Sequence, residues 1–291
     1  MLRELADLGF EYVELSHGTR LTLAPGILKG LDEGIIKVAS LHNFCPLPVG
    51  VTGAAPNLYE PSAASRRERI LWLHNTQKTI DFANRVGCDR IVLHSGRARF
   101  LFADPETAFE DAYEADQGEN GLALKAAREK GLKRLNRKKA SFMKRLLENY
   151  VLISEQANER GVKFGVENRE GFSELPLDAD MVALQKTLEE QKVFGYWHDS
   201  GHAQLKEHMG LIEHKAFLEE LRPHLLGFHL HDVVDDRDHQ IPGTGAIDWS
   251  VIADNVREGD VVVMEMSPRL RSEEIRQGRD FLLKTIPALA G

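Results

Sequence analysis

Seven short runs rich in β-branched, aromatic and other apolar residues, separated by helical stretches, constrain the fold of this chain more than any other feature. They occupy residues 10–16 (FEYVELS), 37–44 (KVASLHNF), 89–95 (DRIVLHS), 162–168 (VKFGVEN), 193–199 (VFGYWHD), 225–232 (LLGFHLHD) and 261–267 (VVVMEMS). Each has the length and composition of a strand. Helical spacing occupies 65–86, 122–160, 180–191, 214–221 and 272–283, the first of these opened by Ser65 and Glu68 at capping-box distance. Leu2, Leu5 and Leu8 place a further helix at the start, ended by Gly9. Strand–helix alternation calls for an α/β fold with a parallel sheet, because a parallel pair needs a crossover long enough to hold a helix. An α/β barrel of about 250 residues accommodates the length without a second domain. One domain over residues 1–291 is therefore expected.

Two stretches break this rhythm. Residues 46–61 (PLPVGVTGAAPNLYEP) form a Pro- and Gly-rich loop too long for a plain connection, which reads as a lid over a site. At about 97–145 lies a charged helical excursion. Between Asp104 and Glu119 its charges are acids only, whereas from Lys125 to Arg145 they are Lys and Arg against the single Glu129. A solvated excursion whose two halves neutralise each other is the expectation.

Composition limits the partners. A formal charge of -8 argues against a general electrostatic grip on nucleic acid or an anionic membrane. No stretch approaches the roughly 18 apolar residues of a membrane span, and MLRELADLGF lacks the charged-then-apolar pattern of a signal peptide. Cys45 and Cys88 are the only thiols, which suits a reducing compartment and no disulfide framework. A cytoplasmic protein is expected.

Every strand after the first ends in a potential metal ligand: His42, His94, Glu167, Asp199, His229 and Glu265, with His202 and His239 in the loops just beyond. The carboxyl ends of parallel strands are where the following loops converge, so ligands there meet at one mouth. In 225–232, residues in steps of two put His229 and His231 on one face and Leu226, Phe228 and Leu230 on the other. The loop that follows, rich in Asp and closed by Gly-Thr-Gly and Asp248-Trp249, has the make-up of a site-building segment. Gly165, Gly195 and Gly227 precede Glu167, Asp199 and His229 on the same strand parity, which predicts an interior beneath the ligands kept clear of side chains. Carboxylates with imidazole make a mixed oxygen and nitrogen set suited to Mn, Mg, Co or Zn. Among the arginines after these strands, Arg169 and Arg237 are candidates to hold an anionic group of a substrate.

VENREG, WHDSGH, FHLHD followed by HQIPGTGAIDW, and VMEMS resemble the strand-end motifs of the xylose isomerase-like TIM-barrel superfamily, the sugar phosphate isomerase/epimerase group that includes type IV apurinic endonucleases. The resemblance runs through nearly the whole chain and implies a TIM-type (β/α) barrel. It implies Glu167, Asp199, His229 and Glu265 as ligands of one divalent metal ion, with Glu167 and Glu265 also the catalytic groups and His202 a substrate contact. The implied reaction is isomerisation or epimerisation of a sugar, sugar phosphate or related polyol or keto acid. A carboxylate on each side of such a substrate can remove a proton from one face and return it to the other. The alternative is a phosphodiester hydrolase of the apurinic endonuclease type, holding two or three ions. Its site resembles His42, His94, Glu167, Asp199, His202, His229, His239 and Glu265 taken together, with His231 beside them. Two departures stand out. Arg237 occupies the position of an aspartate of the endonuclease motif, with Asp236 and Asp238 beside it. The first barrel strand is absent, so seven strands are visible; either the natural protein begins upstream, or the gap is covered by the chain itself or by a neighbouring subunit of a homo-oligomer.

Overall fold

The computed structural model describes residues 1–116 and 121–289. Strands β1 (Tyr12–Leu15), β2 (Lys37–His42), β3 (Arg90–Leu93), β4 (Lys163–Glu167), β5 (Phe194–Asp199) and β6 (Leu225–Leu230) pair in chain order, all parallel. After β6 comes an antiparallel hairpin, β7 (Asp232–Val234) and β8 (Arg237–Gln240), and then β9 (Val262–Met264), which returns beside β6. The result is a 7-stranded parallel sheet in the order β1-β2-β3-β4-β5-β6-β9. It curls into a nearly closed barrel of the TIM type with helices outside. Parallel strands covered on both faces read as apolar runs. Accordingly Leu41, Ile91, Leu93, Phe164, Val166, Tyr196, Phe228 and Leu230 pack with the inner faces of the helices in one core.

β1 and β9 are the two edges of the sheet. The first helix, Leu2–Asp7, and the last long one, Ser272–Thr285, are tied together beside that seam. Ser272 donates to Glu4 at 2.8 Å, and the Arg279 guanidinium donates to the Gly9 carbonyl at 3.3 Å and lies over the Phe10 ring. Among the described residues no helix is long and apolar enough to cross a membrane.

Local sequence explains most boundaries. Helix Leu122–Arg160 ends where Gly161 turns left-handed, at φ 66°. Ser65 caps helix Arg66–Arg85 by accepting the Glu68 N–H, but the capping box is only half made: the Glu68 carboxylate instead accepts the backbone N–H of Glu60. Helix Ala24–Asp32 went unread, because Pro25, Gly26 and Gly30 dilute its apolar spacing. The hairpin turns on Asp235 and Asp236, both at positive φ (50° and 55°), the conformation a two-residue primed turn requires and Asp tolerates.

The charged excursion is more than a solvated pair. Helix Pro105–Asp116 packs on helix Leu122–Arg160, and Phe109, Leu124, Leu135 and Phe142 close a second core on Phe172, Leu175 and Leu177 from the segment after β4. The two helices thus share an apolar seam that braces the segment after β4, and one of their acids, Glu106, is buried there and accepts from Ser173 at 2.6 Å. Glu119 lies outside the described residues.

Candidate metal centre

The strand ends bring Glu167, Asp199, His229 and Glu265 together, with one ligand atom from each lying within 4.8 Å of all the others. His229 Nδ1 sits 2.7 Å from Glu167 Oε1, 2.9 Å from Glu265 Oε2 and 3.8 Å from Asp199 Oδ2. Glu167, Asp199 and His229 are buried, while the Glu265 side chain keeps 21% of its surface exposed. Burial pushes the Glu167 carboxyl up, but the Arg169 charge and the hydrogen bond with His229 outweigh it and hold it well below the ordinary range. Glu265 is likewise raised by burial and lowered further by His229.

Short-range geometry places Asp199. It caps helix Ser200–His208, accepting the His202 N–H on Oδ1 at 2.7 Å, which turns Oδ2 toward His229 and His231. Asn168, next to Glu167, clamps the Asp199 backbone from both sides: its Oδ1 accepts the Asp199 N–H at 2.7 Å and its Nδ2 donates to the Asp199 carbonyl at 2.9 Å. Two strand ends are thus locked to each other.

Further clusters adjoin this one. The other oxygen of Glu167 faces His94 Nε2 at 2.9 Å and His42 Nε2 at 3.9 Å, making a His42, His94 and Glu167 group. Across the mouth, Glu170, His202 and Asp238 form another, and His231, His239 and Glu265 a further one. Loop 46–61 reaches this floor through Asn57, whose Oδ1 lies 2.9 Å from His94 Nδ1.

Hydrogen bonds on the far side of each ring decide what the inward nitrogens present. His94 Nδ1 is taken by Asn57, His42 Nδ1 by the Asn43 carbonyl at 3.2 Å, and His229 Nε2 by Glu14, a residue of β1, at 3.1 Å. These partners accept, so those nitrogens carry the hydrogens. Burial lowers His42 and His94, whose neutral rings turn bare nitrogens toward Glu167, whereas burial of His229 is outweighed by Glu14 and Glu265, which raise it well above its ordinary value. His94 Nε2, buried and 2.9 Å from Glu167, makes no hydrogen bond there. A lone pair facing carboxylates is stable only with a cation or a proton between them, so this donor set fits a divalent ion. His231 is oriented the other way. Its Nδ1 accepts the His239 N–H at 2.8 Å, leaving Nε2 to donate to Asp199 Oδ2 at 3.0 Å, which makes it a support of Asp199.

The interior beneath the ligands is filled, contrary to the reading of the glycines. Trp197, two residues before Asp199, lies across it: a Cβ at Gly165 would come 2.7 Å from its indole, and one at Gly227 2.4 Å. Gly165 and Gly227 clear room for one large ring, whereas a Cβ at Gly195 would meet Leu226 at 2.5 Å. The arginines are also committed. Arg169 is buried, with Nη1 2.7 Å from Glu167 and Nε 3.4 Å from Glu174, while Arg237 is exposed and pairs with Asp235 at 3.5 Å. Glu14 and Glu170 reach the site from outside the strand-end residues, and Asp238 reaches it from the Asp-rich loop after 225–232. For Glu14 the available signal was an acid inside an otherwise apolar strand.

The loop after β6 is built around Asp232. Its buried carboxylate accepts from Val233 N and Ile247 N on Oδ1, and from Gly243 N, Gly245 N and Trp249 Nε1 on Oδ2, at 2.9–3.2 Å. That set of donors explains the run from HD to PGTGAIDW. A Cβ at Gly245 would lie 2.1 Å from the Val233 carbonyl oxygen, so this turn admits only glycine.

A family model described as xylose isomerase-like TIM barrel matches residues 2–285. Among solved structures, a D-tagatose 3-epimerase-like protein superposes with a TM-score of 0.67 at 16% identity, covering 99% of this chain and 92% of that one. The 3-keto-D-glucoside 4-epimerase from E. coli gives 0.65 at 15%, covering 97% and 92%. The IOLI protein, described with a binding zinc atom, gives 0.63 at 15%, covering 98% and 90%. At these identities the likeness shows the fold. No curated protein matches in sequence.

Proposed function

The chain belongs to the xylose isomerase-like TIM-barrel family, and from that premise we propose that it is a divalent-metal-dependent isomerase or epimerase of a small carbohydrate, acting by proton transfer next to a carbonyl. One observation carries the reading: the Glu167 and Glu265 carboxylates both approach His229 Nδ1, at 2.7 and 2.9 Å, within one cluster of possible ligands. Glu167, Asp199, His229 and Glu265 would hold the ion, Mn, Mg, Co or Zn, which when bound polarises a carbonyl and acidifies the neighbouring C–H. Glu265, partly exposed, would exchange a proton with substrate, and Glu167, held ionised by Arg169, would serve as the second proton-transfer group. Removal and return on opposite faces epimerises the carbon; return on the same face moves the carbonyl. Because Arg169 is neutralised by Glu167 and Glu174, the mouth favours an uncharged sugar over an anionic one.

The test is to incubate candidate ketoses in deuterated water with the wild type and Glu265→Gln. Carbon-bound deuterium is expected only with the wild type, and turnover without exchange would refute proton transfer. The second reading, a multi-metal phosphodiester hydrolase, is favoured by the His42, His94 and Glu167 group and by the Glu170, His202 and Asp238 group. Metal content of the purified protein separates the two. One ion per chain supports the isomerase; two or three, with cleavage of abasic DNA and no sugar turnover, support the hydrolase.

A further inference from the structure

Among the described residues, neither β1 nor the residue just after it supplies a member of the four-ligand cluster or the groups beside it, yet one side chain of β1 is aimed at the centre. Its register against β2 runs Tyr12 to Lys37 and Val13 to Val38, then shifts so that Glu14 faces Ser40 and Leu15 faces Leu41. An irregularity of this kind re-aims a side chain, and such irregularities concentrate beside active sites. Here the result is a Glu14 carboxylate with 6% of its side chain exposed, inside the barrel. It accepts from Ser40 Oγ at 2.6 Å, which leaves it directed at His229 Nε2, 3.1 Å from each carboxylate oxygen. β1 and β6 are not neighbours in the sheet, so this contact spans the interior beside the seam between β1 and β9.

We propose that Glu14 is a positioning residue that makes His229 a metal ligand. A carboxylate accepts hydrogen bonds and does not donate them, so its contact selects the tautomer with hydrogen on Nε2. With an ion bound, the lone pair is then on Nδ1, the nitrogen facing Glu167, Asp199 and Glu265. Ser40 holds Glu14 in place, and Glu14 in turn fixes the plane of the His229 ring. The proposal rests on the reading that this four-residue cluster binds a divalent ion.

Cobalt(II) binding, followed by calorimetry and by visible absorption, tests it on wild type, Glu14→Gln, Glu14→Leu and Glu14→Ala. Loss of an outer partner of a metal-binding histidine costs about 10–100-fold in metal affinity. Glu14→Leu and Glu14→Ala should show that loss. Glu14→Gln keeps an amide oxygen able to accept from Nε2 and should fall between them and the wild type, a rescue that a merely space-filling role would not give. Thermal melting in the presence of chelator identifies any variant that does not fold, and the remaining variants carry the comparison. Glu14→Leu or Glu14→Ala binding cobalt within about twofold of wild type, far short of the loss expected for an outer partner, or Glu14→Gln weakened as far as they are, would overturn this role alone. A wild type that binds no cobalt would overturn the metal-site reading and this role with it.

Discussion

Asp232→Asn is the substitution that the structure makes most costly for the least change in shape. The native carboxylate serves five donors, three on Oδ2 and two on Oδ1, with no exposure to solvent. An asparagine keeps one oxygen. Its better orientation turns that oxygen to Gly243, Gly245 and Trp249 and sets its NH2 against the N–H groups of Val233 and Ile247. Two buried donors then lose their acceptor, at about 1–3 kcal/mol each, so the destabilisation is about 2–6 kcal/mol. Unfolding entropy of about 2.1 cal/mol/K per residue over 291 residues converts this into a fall in Tm of roughly 3–10 °C. The loop also carries the His239 N–H that orients His231, so metal affinity should fall with it. Differential scanning calorimetry with and without chelator measures both effects. A Tm within about 1 °C of wild type would refute the reasoning, since it would mean that the five contacts contribute far less than buried charge-assisted hydrogen bonds do.

Two glycines should respond in opposite directions. Gly227→Ala drives a Cβ to 2.4 Å from the Trp197 ring and should cost about 1–3 kcal/mol through overpacking. Gly26→Ala, within helix Ala24–Asp32 and meeting nothing within 4 Å, should stabilise by about 0.4–1 kcal/mol. Urea midpoints of the two variants check the pair, and a shift of the same sign in both would contradict it. The third prediction is a pH dependence. Burial raises the Glu174 carboxyl, but Arg169 outweighs it and the group falls from its ordinary 4.5 to about 2. A carboxyl depressed in the folded state adds stability that is present above pH 4.5 and lost as pH falls toward about 2. Glu174→Gln should flatten the denaturation midpoint against pH in that window, and an unchanged slope would remove Glu174 from the account.

The barrel and the gathering of candidate ligands at the strand ends were legible in the sequence because both depend on short-range regularities. A short segment rich in apolar residues followed by a helical stretch signals a β/α unit, and the end of each such segment sits at the same rim. Hence His42, Glu167 and Asp199 end their strands, and His94 and Glu265 lie one residue beyond. What those residues face was a matter of tertiary packing. Trp197 fills the space over Gly165 and Gly227 because three neighbouring strands align there, which no parity count within one strand reveals. Arg169 has the composition of an anion clamp, but its near neighbours Glu167 and Glu174, two and five residues away, engage it in the folded chain. The histidine tautomers are decided by partners far along the chain, Asn57 for His94 and Glu14 for His229. Periodicity within the sequence determined which side chains reach the mouth. Contacts between segments remote in sequence decided their charge, their hydrogen positions and the direction in which they point, because hydrogen bonds and desolvation act over a few ångströms of space rather than along the chain.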